Sequence, residues 1–398
     1  MRNPALLATL AGIALLAASA ALPNVHFGDS ANRGDTPLYQ QYGENLTHGK
    51  APYRDFFVEY PPGALPMFVA PAIGPDRDYT LWSKGLQWLL AAAGLALCAL
   101  ALRGGYWRAS AIGLAPALLG RITFTRFDFW PAALTAAAVA ALVRGRGRLA
   151  LGVLALAVAA KEYPIVLLPL FLLYLDRRAG RREASISAGI FAVVLTAIVL
   201  PFAVLAPGGV GYSLDVQFRR PLQVESLGAS FLLALHRLGA YAPHVVSTYG
   251  SQNLSGTAAT ALAAFTSMLE AGAIVGVWIL FARGTRSEAA LLAASAASVI
   301  AFVTFAKVLS PQYLIWLLPL VPLLGGRMWR AGVLLAAALV LTEAWSQSRY
   351  HEVVAAQPVV WLVLVRDLVL VALFSVAALA VYRAGGNQTS NPSVLTSA

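Results

Sequence analysis

Residues 83–102 read SKGLQWLLAAAGLALCALAL. Lys84 and Gln87 lie near the start, and the rest is almost wholly apolar. As a helix rising 1.5 Å per residue, such a run is roughly 30 Å long, which is about the thickness of a bilayer's hydrocarbon core. The basic hexapeptide RGGYWR (103–108) follows at once. Outward from this run, the pattern of apolar stretch and short polar turn recurs along the chain. Windows of about 19 residues give candidate spans at 5–22, 83–102, 109–120, 129–143, 149–160, 164–175, 185–206, 258–282, 289–306, 311–325, 331–345 and 358–382. The expected fold is therefore all-α: a polytopic membrane protein of about twelve spans, a single domain over 1–384, and a polar, disordered tail at 385–398.

Composition agrees. Of 398 residues, 59% are hydrophobic and 12% charged, where soluble domains carry about 25% charged residues. The lone cysteine, Cys98, lies in the opening run, which excludes an intramolecular disulfide and a cysteine-based metal site. The net charge of +11 is a topology signal. With a cytoplasmic N-terminus, the loops 103–108, 144–148, 176–183, 283–288 and 325–330, the tail from Arg383, and Arg2 hold 15 Lys/Arg against three acids, Asp176, Glu183 and Glu288. Short basic loops on one face are the positive-inside pattern. Nucleic acid is not an expected partner, and membrane lipids are. The first run reads as an uncleaved signal anchor, so both termini are expected to be cytoplasmic, in a bacterial plasma membrane.

The opposite, exterior face carries two long segments, 23–82 and 207–257, all five histidines and most carboxylates. The runs 109–120 and 164–175 are too short to cross a bilayer as single helices. They either extend into their flanks or stop inside a cavity, as short re-entrant-like hairpins, and the ionisable residues at their outer turns suit a cavity. The histidines lack metal-binding spacing, and no phosphate-binding glycine loop or nucleophile elbow occurs.

Within the first long segment, residues 34–62, GDTPLYQQYGENLTHGKAPYRDFFVEYPP, hold four carboxylates and four tyrosines. Asp35-x-x-x-Tyr39, Tyr42-Gly43, Gly49-x-x-Pro52-Tyr53, Asp55 and Glu59-Tyr60-Pro61-Pro62 resemble the first exterior loop of the GT-C superfamily, and in particular of glycosyltransferase family 87. Arg126-Phe-Asp128, Lys161-Glu-Tyr-Pro164, and Ser310-Pro-Gln-Tyr313 with Trp316-Leu-Leu-Pro319 resemble that family's later loops. The resemblance covers roughly residues 1–330. It implies a multi-helix GT-C fold, a polyprenyl-phosphate-mannose donor, a glycolipid or glycan acceptor, inversion at the anomeric carbon, and a first-loop acid as base.

The residue chemistry fits that reading. Inversion needs a carboxylate within about 2.6–3.2 Å of the acceptor hydroxyl. A departing lipid phosphate needs Lys or Arg nearby. Asp35 is the expected base; the competing role is an N-cap for a helix through Leu46. Glu59 is the runner-up base or an acceptor ligand. Asp55 and Glu59 would otherwise be solvated charges or structural partners of Arg54 and Lys50. Arg126, Lys161 and Lys307 are candidates for phosphate. Asp128, Glu162, Gln312 and Tyr313 accompany them, while Tyr39, His48, Tyr53 and Tyr60 are candidates for the sugars. Asp128 with Arg126, and Glu162 with Lys161, read equally as structural pairs. Arg219-Arg220 read as a solvated pair. No metal or other cofactor is expected, because a lipid-phosphate donor needs no ion to hold a nucleotide diphosphate. A transporter or lipid flippase is the rival reading, resting on Glu270, Glu343 and Arg366-Asp367 within spans. A non-catalytic assembly protein is the third.

Overall fold

The computed structural model describes residues 3–30, 34–73 and 78–386. Most of the expected tail, from residue 387 on, lies outside the described residues. Every predicted apolar run is helical, but the helices differ in kind. Five among the described residues are long and apolar enough to cross a membrane: Tyr79–Ala101, Arg181–Leu205, Thr257–Arg283, Glu288–Phe305 and Val360–Gly386. Pro4–Ala20, Phe129–Val143 and Gly147–Ala160 are apolar but shorter.

Glu288–Phe305 is the central helix, buried nearly throughout, whereas Arg181–Leu205 is exposed along almost its whole length. The sequence explains both. Glu288–Phe305 is rich in Ala and Ser, and small residues let neighbouring helices approach closely. Val360–Gly386 and Thr257–Arg283 pack on it. The Ser287 hydroxyl accepts from the Ala290 N–H and starts the helix, with Glu288 in its first turn, as capping and the helix dipole favour. Arg181–Leu205 presents Val193, Leu200 and Val204 outward, a surface suited to lipid.

The short runs do not form single α-helices. Residues 107–119 break into three pieces and end at Gly120 with φ 64°. Tyr163–Leu167 is a 3-10 turn leading into Leu168–Ala179, and Pro311–Leu317 and Val321–Arg327 are likewise 3-10. Pro116, Pro164, Pro169 and Pro311 each stand in the first turn of the piece they open, where no helical N–H is lost but the preceding turn cannot continue unbroken through them. Such irregular backbone is tolerated at membrane depth only where protein or a polar cavity surrounds it.

The two long segments fold against one end of the bundle. The first contains helices Thr36–Thr47 and Leu65–Ala72. They meet at Gly43, where a Cβ would overlap the Phe68 carbonyl. The second contains helix Pro207–Arg219, strand β1 (Leu222–Gln223), helix Leu227–Arg237, and strands β2 (His244–Thr248) and β3 (Ser251–Ser255). The three strands form an antiparallel sheet in the order β1-β3-β2. This small sheet is an addition to a fold that is otherwise helical, as expected. Its sequence signal is a β-branched run, His244-Val-Val-Ser-Thr248, followed by Tyr249-Gly250, both at positive φ, as a two-residue hairpin turn requires.

Candidate active site

Both long segments and three irregular turns converge on a cavity of about 980 Å³. Asp35, Glu59 and Tyr60 reach it from the first segment, and Arg220, Gln223 and Glu225 from the second. Arg126, Lys161 with Glu162, and Lys307 with Gln312 and Tyr313 come from the turns between helices.

Asp35 occupies the N-cap position of Thr36–Thr47, yet its side chain makes no capping hydrogen bond. It is ion-paired with Arg126 instead, and the Tyr39 hydroxyl lies 3.4 Å from Oδ2. The carboxylate is one-third exposed. The Arg126 Nε is buried with no hydrogen-bond partner. Local backbone sets up the pair: Arg126 is extended, ending the turn Ile122–Thr125, and Gly34 at φ 63° passes against the guanidinium.

Glu59 is ion-paired with Arg220, which also donates to the Tyr249 carbonyl over 3.1 Å. The Glu59 carbonyl accepts from Ser213 Oγ at 3.0 Å and Gln217 Nε2 at 3.3 Å. The second segment thus clamps the first, and Arg220 is a wall residue of the cavity rather than a solvated charge. Proline 61, extended at φ −62° and ψ 159°, leads on to Trp130, whose indole N–H donates to the Gly63 carbonyl at 3.0 Å.

Asp128 and Lys161 form a different kind of pair. Lys161 Nζ donates to Asp128 Oδ1 at 2.7 Å, and the Trp316 indole N–H donates to the same oxygen at 2.7 Å. Asp128 is fully buried and does not line the cavity; Lys161 does. Lys161 also stands over four rings, Phe127 and Trp316 at 4.9 Å, Tyr313 at 5.3 Å and Tyr60 at 5.7 Å. Tyr313 and Tyr163 each stack on Trp316 at 4.1 Å. An ammonium in such a cage is held by ring quadrupoles and one carboxylate, which leaves it able to donate into the cavity.

Beside Lys161, burial raises the Glu162 carboxyl above its usual range. Lys307 donates to the Phe218 carbonyl at 2.7 Å, and partial burial lowers its ammonium from the ordinary value. Tyr39 is buried between Phe68, Phe127 and Tyr60. Tyr53, at φ 66°, donates its hydroxyl to the Tyr60 carbonyl at 2.6 Å. Both shape the loop from behind.

Two expected site residues stand apart. His48 is exposed at the end of its helix, its Nδ1 2.7 Å from the Glu44 carbonyl. Asp55 is paired with Arg54 and accepts from the Ala51 N–H at 2.8 Å. Arg54 and that N–H hold its carboxyl down at about 2. Neither residue lines the cavity, because the tight Ala51–Asp55 turn directs them away from it. Among the described residues, no group of three or more His, Cys, Asp and Glu side chains is arranged to hold a metal ion.

Glu225 was not singled out from the sequence. It is buried on the cavity wall and accepts from Gln223 Nε2. Burial pushes its carboxyl up to about 8. The Arg366 guanidinium donates to the Glu225 carbonyl at 2.6 Å and pairs with Asp367 at 2.8 Å. Glu270 also lines the cavity, and Glu343 bonds Gln347, another lining residue. The mid-span ionisable residues behind the transporter reading therefore all attach to this one cavity.

The sequence model of glycosyltransferase family 87 matches residues 57–311. The match includes Glu59, Arg126, Asp128, Lys161, Glu162 and Lys307, and begins after Asp35. Among solved structures, the chain is similar to ArnT from Cupriavidus metallidurans bound to undecaprenyl phosphate, at 16% identity and a TM-score of 0.50. The alignment covers 96% of this chain and 77% of that one. No curated protein sequence matches the chain.

Proposed function

The chain belongs to glycosyltransferase family 87 and is a membrane glycosyltransferase; we propose that it transfers a hexose, mannose first among them, from a polyprenyl phosphate to a glycolipid or glycan hydroxyl. The observation that carries this reading is the cavity itself. It sets Asp35 and Glu59 against Arg126, Arg220 and Lys161, and continues onto an apolar wall of Ile274, Val275 and Trp278. That wall suits a prenyl chain, and the cations suit its phosphate. The structurally similar ArnT was solved with undecaprenyl phosphate bound, which supports a lipid-phosphate donor here.

In the proposed step, Asp35 takes the proton of the acceptor hydroxyl as that oxygen bonds to the anomeric carbon. The bond from that carbon to the phosphate oxygen breaks on the opposite face, inverting the centre. The polyprenyl phosphate leaves with the electron pair, and Lys161 and Arg126 meet its charge. Arg126 serves both sides: a phosphate drawing the guanidinium away from Asp35 leaves a more basic carboxylate. Glu59 is the alternative base, favoured by its place inside the family match. The twelve apolar runs form the membrane-embedded body, with both termini cytoplasmic and the cavity facing outward. No metal takes part.

The test is transfer in vitro. Purified protein in nanodiscs receives radiolabelled polyprenyl-phosphate-mannose and a membrane glycolipid extract, as wild type and as Asp35→Asn, with and without EDTA. The reading requires transfer by wild type, loss in the variant and indifference to EDTA. Full activity in Asp35→Asn moves the base to Glu59. Failure of well-folded wild type across a panel of donors and acceptors overturns the assignment.

A further inference from the structure

Two side chains on the wall of the catalytic cavity take no part in the step proposed above. Gln223 and Glu225 are each 3% exposed, and both line the cavity. Their backbone is pinned from several directions. The Gln223 N–H donates to the Lys307 carbonyl at 3.0 Å, and the Val224 N–H to the Gln252 carbonyl at 3.1 Å. Ser226 caps the helix Leu227–Arg237, and its hydroxyl donates to the Gln223 carbonyl at 2.8 Å. On the side chain of Gln223, Nε2 donates to Glu225 Oε2 and, at 3.2 Å, to Ser310 Oγ. Ser310 lines the same cavity. Both amide protons are thereby used. The amide oxygen, Oε1, is buried with no hydrogen-bond partner.

An unpaired buried acceptor is costly, so this corner favours a ligand that donates to it. A phosphate offers acceptor oxygens and negative charge, and would meet an unpaired acceptor and an acid here. A sugar hydroxyl both donates and accepts. Burial pushes the Glu225 carboxyl up to about 8, so near neutral pH it holds an O–H to donate and an oxygen to accept. Arg126, the partner of Asp35, lies within electrostatic reach of Glu225, as does Tyr350 on the same cavity wall. The corner therefore adjoins the Asp35–Arg126 pair. From this, and resting on the glycosyl-transfer reading above, we infer that Gln223, Glu225 and Ser310 form a subsite for hexose hydroxyls, which orients a sugar ring beside Asp35 while the phosphate stays with the cations. The same chemistry serves the acceptor's ring or the ring being transferred, and the test separates the two.

Equilibrium binding to the full-length protein in nanodiscs tests this without requiring turnover. The probes are radiolabelled octyl mannoside, counted as the portion that excess methyl mannoside displaces, polyprenyl-phosphate-mannose, and undecaprenyl phosphate. Gln223→Ala and Glu225→Ala should each lower hexose affinity roughly tenfold, the worth of one good hydrogen bond. Undecaprenyl phosphate should bind them as it binds wild type, which also reports an intact cavity. Arg366 donates to the Glu225 backbone carbonyl, so that tie survives truncation of the side chain. Glu225→Gln keeps a donor and an acceptor and should restore most of the affinity. A fall confined to octyl mannoside assigns the subsite to the acceptor's ring, and one confined to polyprenyl-phosphate-mannose assigns it to the transferred ring. A fall in both means that the two rings share it. Unchanged hexose binding in both alanine variants overturns the inference. An equal fall for undecaprenyl phosphate overturns it as well, making the role structural, and so does a wild type that binds no hexose probe. Hexose binding that the variants lose, in a protein that transfers no sugar, supports the subsite while removing the transfer reading, so the two fail separately.

Discussion

Two acid–base pairs at the same end of the molecule look alike in sequence and differ in structure. Asp35–Arg126 joins two segments across the cavity, with the carboxylate one-third exposed. Asp128–Lys161 lies two residues beyond Arg126, with the carboxylate 1% exposed and Trp316 on the same oxygen. The first pair can exchange partners with a substrate, because solvent and cavity reach it. The second stays paired, because losing either member leaves an uncompensated charge in a low dielectric, so Lys161 can meet a substrate only by adding a bond and not by leaving Asp128. What separates the two pairs is the room around the carboxylate, not the residue type.

The sharpest way to break that comparison is Asp128→Ala. It strands the Lys161 ammonium among four rings, and loss of one partner of a buried pair costs about 3–5 kcal/mol. The expected result is a large fall in Tm and in the yield of folded protein, read by thermal unfolding in detergent. A well-folded, active Asp128→Ala protein would make that pair dispensable and collapse the distinction. Asp35→Asn is the counterpart. It should keep the wild-type Tm while kcat falls roughly 10²–10⁴-fold, the usual worth of a general base. Glu59→Gln should be milder, on the order of tenfold, if Glu59 only clamps the loop through Arg220. A loss within the general-base range would exchange the roles of the two first-loop acids.

A pH measurement sharpens the comparison further. Among the described residues Glu225 makes no ion pair, and burial raises its carboxyl to about 8 although the Arg366 and Arg126 charges pull the other way. In the unfolded chain it would titrate near about 4.3. The folded state therefore binds the proton more tightly, so this stabilising contribution is complete below that unfolded value. It is lost as pH rises through the folded one. Tm should decline between pH 5 and pH 8, and Glu225→Gln should flatten the decline. An unchanged slope in the variant would show that Glu225 is already ionised in the fold.

Much of this architecture is legible in the sequence, for a physical reason. Long apolar runs form α-helices, and the short proline-containing ones break into short α-helical and 3-10 pieces. Arg126 and Lys161 stand at the ends of such runs, whereas Asp35, beyond the first run, and Tyr313, inside a later one, stand out through the resemblance of their loops to family 87. Arg220 and Glu225 could be placed neither way. Their roles depend on a small sheet and on Arg366, 141 residues beyond Glu225, and long-range pairing leaves no local signature. His48 and Asp55 failed in the opposite sense, because a tight turn decides which way a loop side chain points.

Asp55 supplies the smallest expected effect and the cleanest control. Its carboxyl lies at the surface, about as exposed as that of Asp35, and is held at about 2 by Arg54 and the Ala51 N–H. A depressed folded value means the contribution is present above about 3.9, the unfolded value, and fades only as pH falls towards 2. Exposed ion pairs are screened and worth little, so at neutral pH Asp55→Asn should leave Tm and transfer unchanged within error. Asp35 and Asp55 share one loop, one charge and an arginine partner each. If Asp55→Asn abolished transfer while Asp35→Asn did not, the cavity would be the wrong place to look for the reaction. The opposite pattern ties activity to the carboxylate that the fold turns inward.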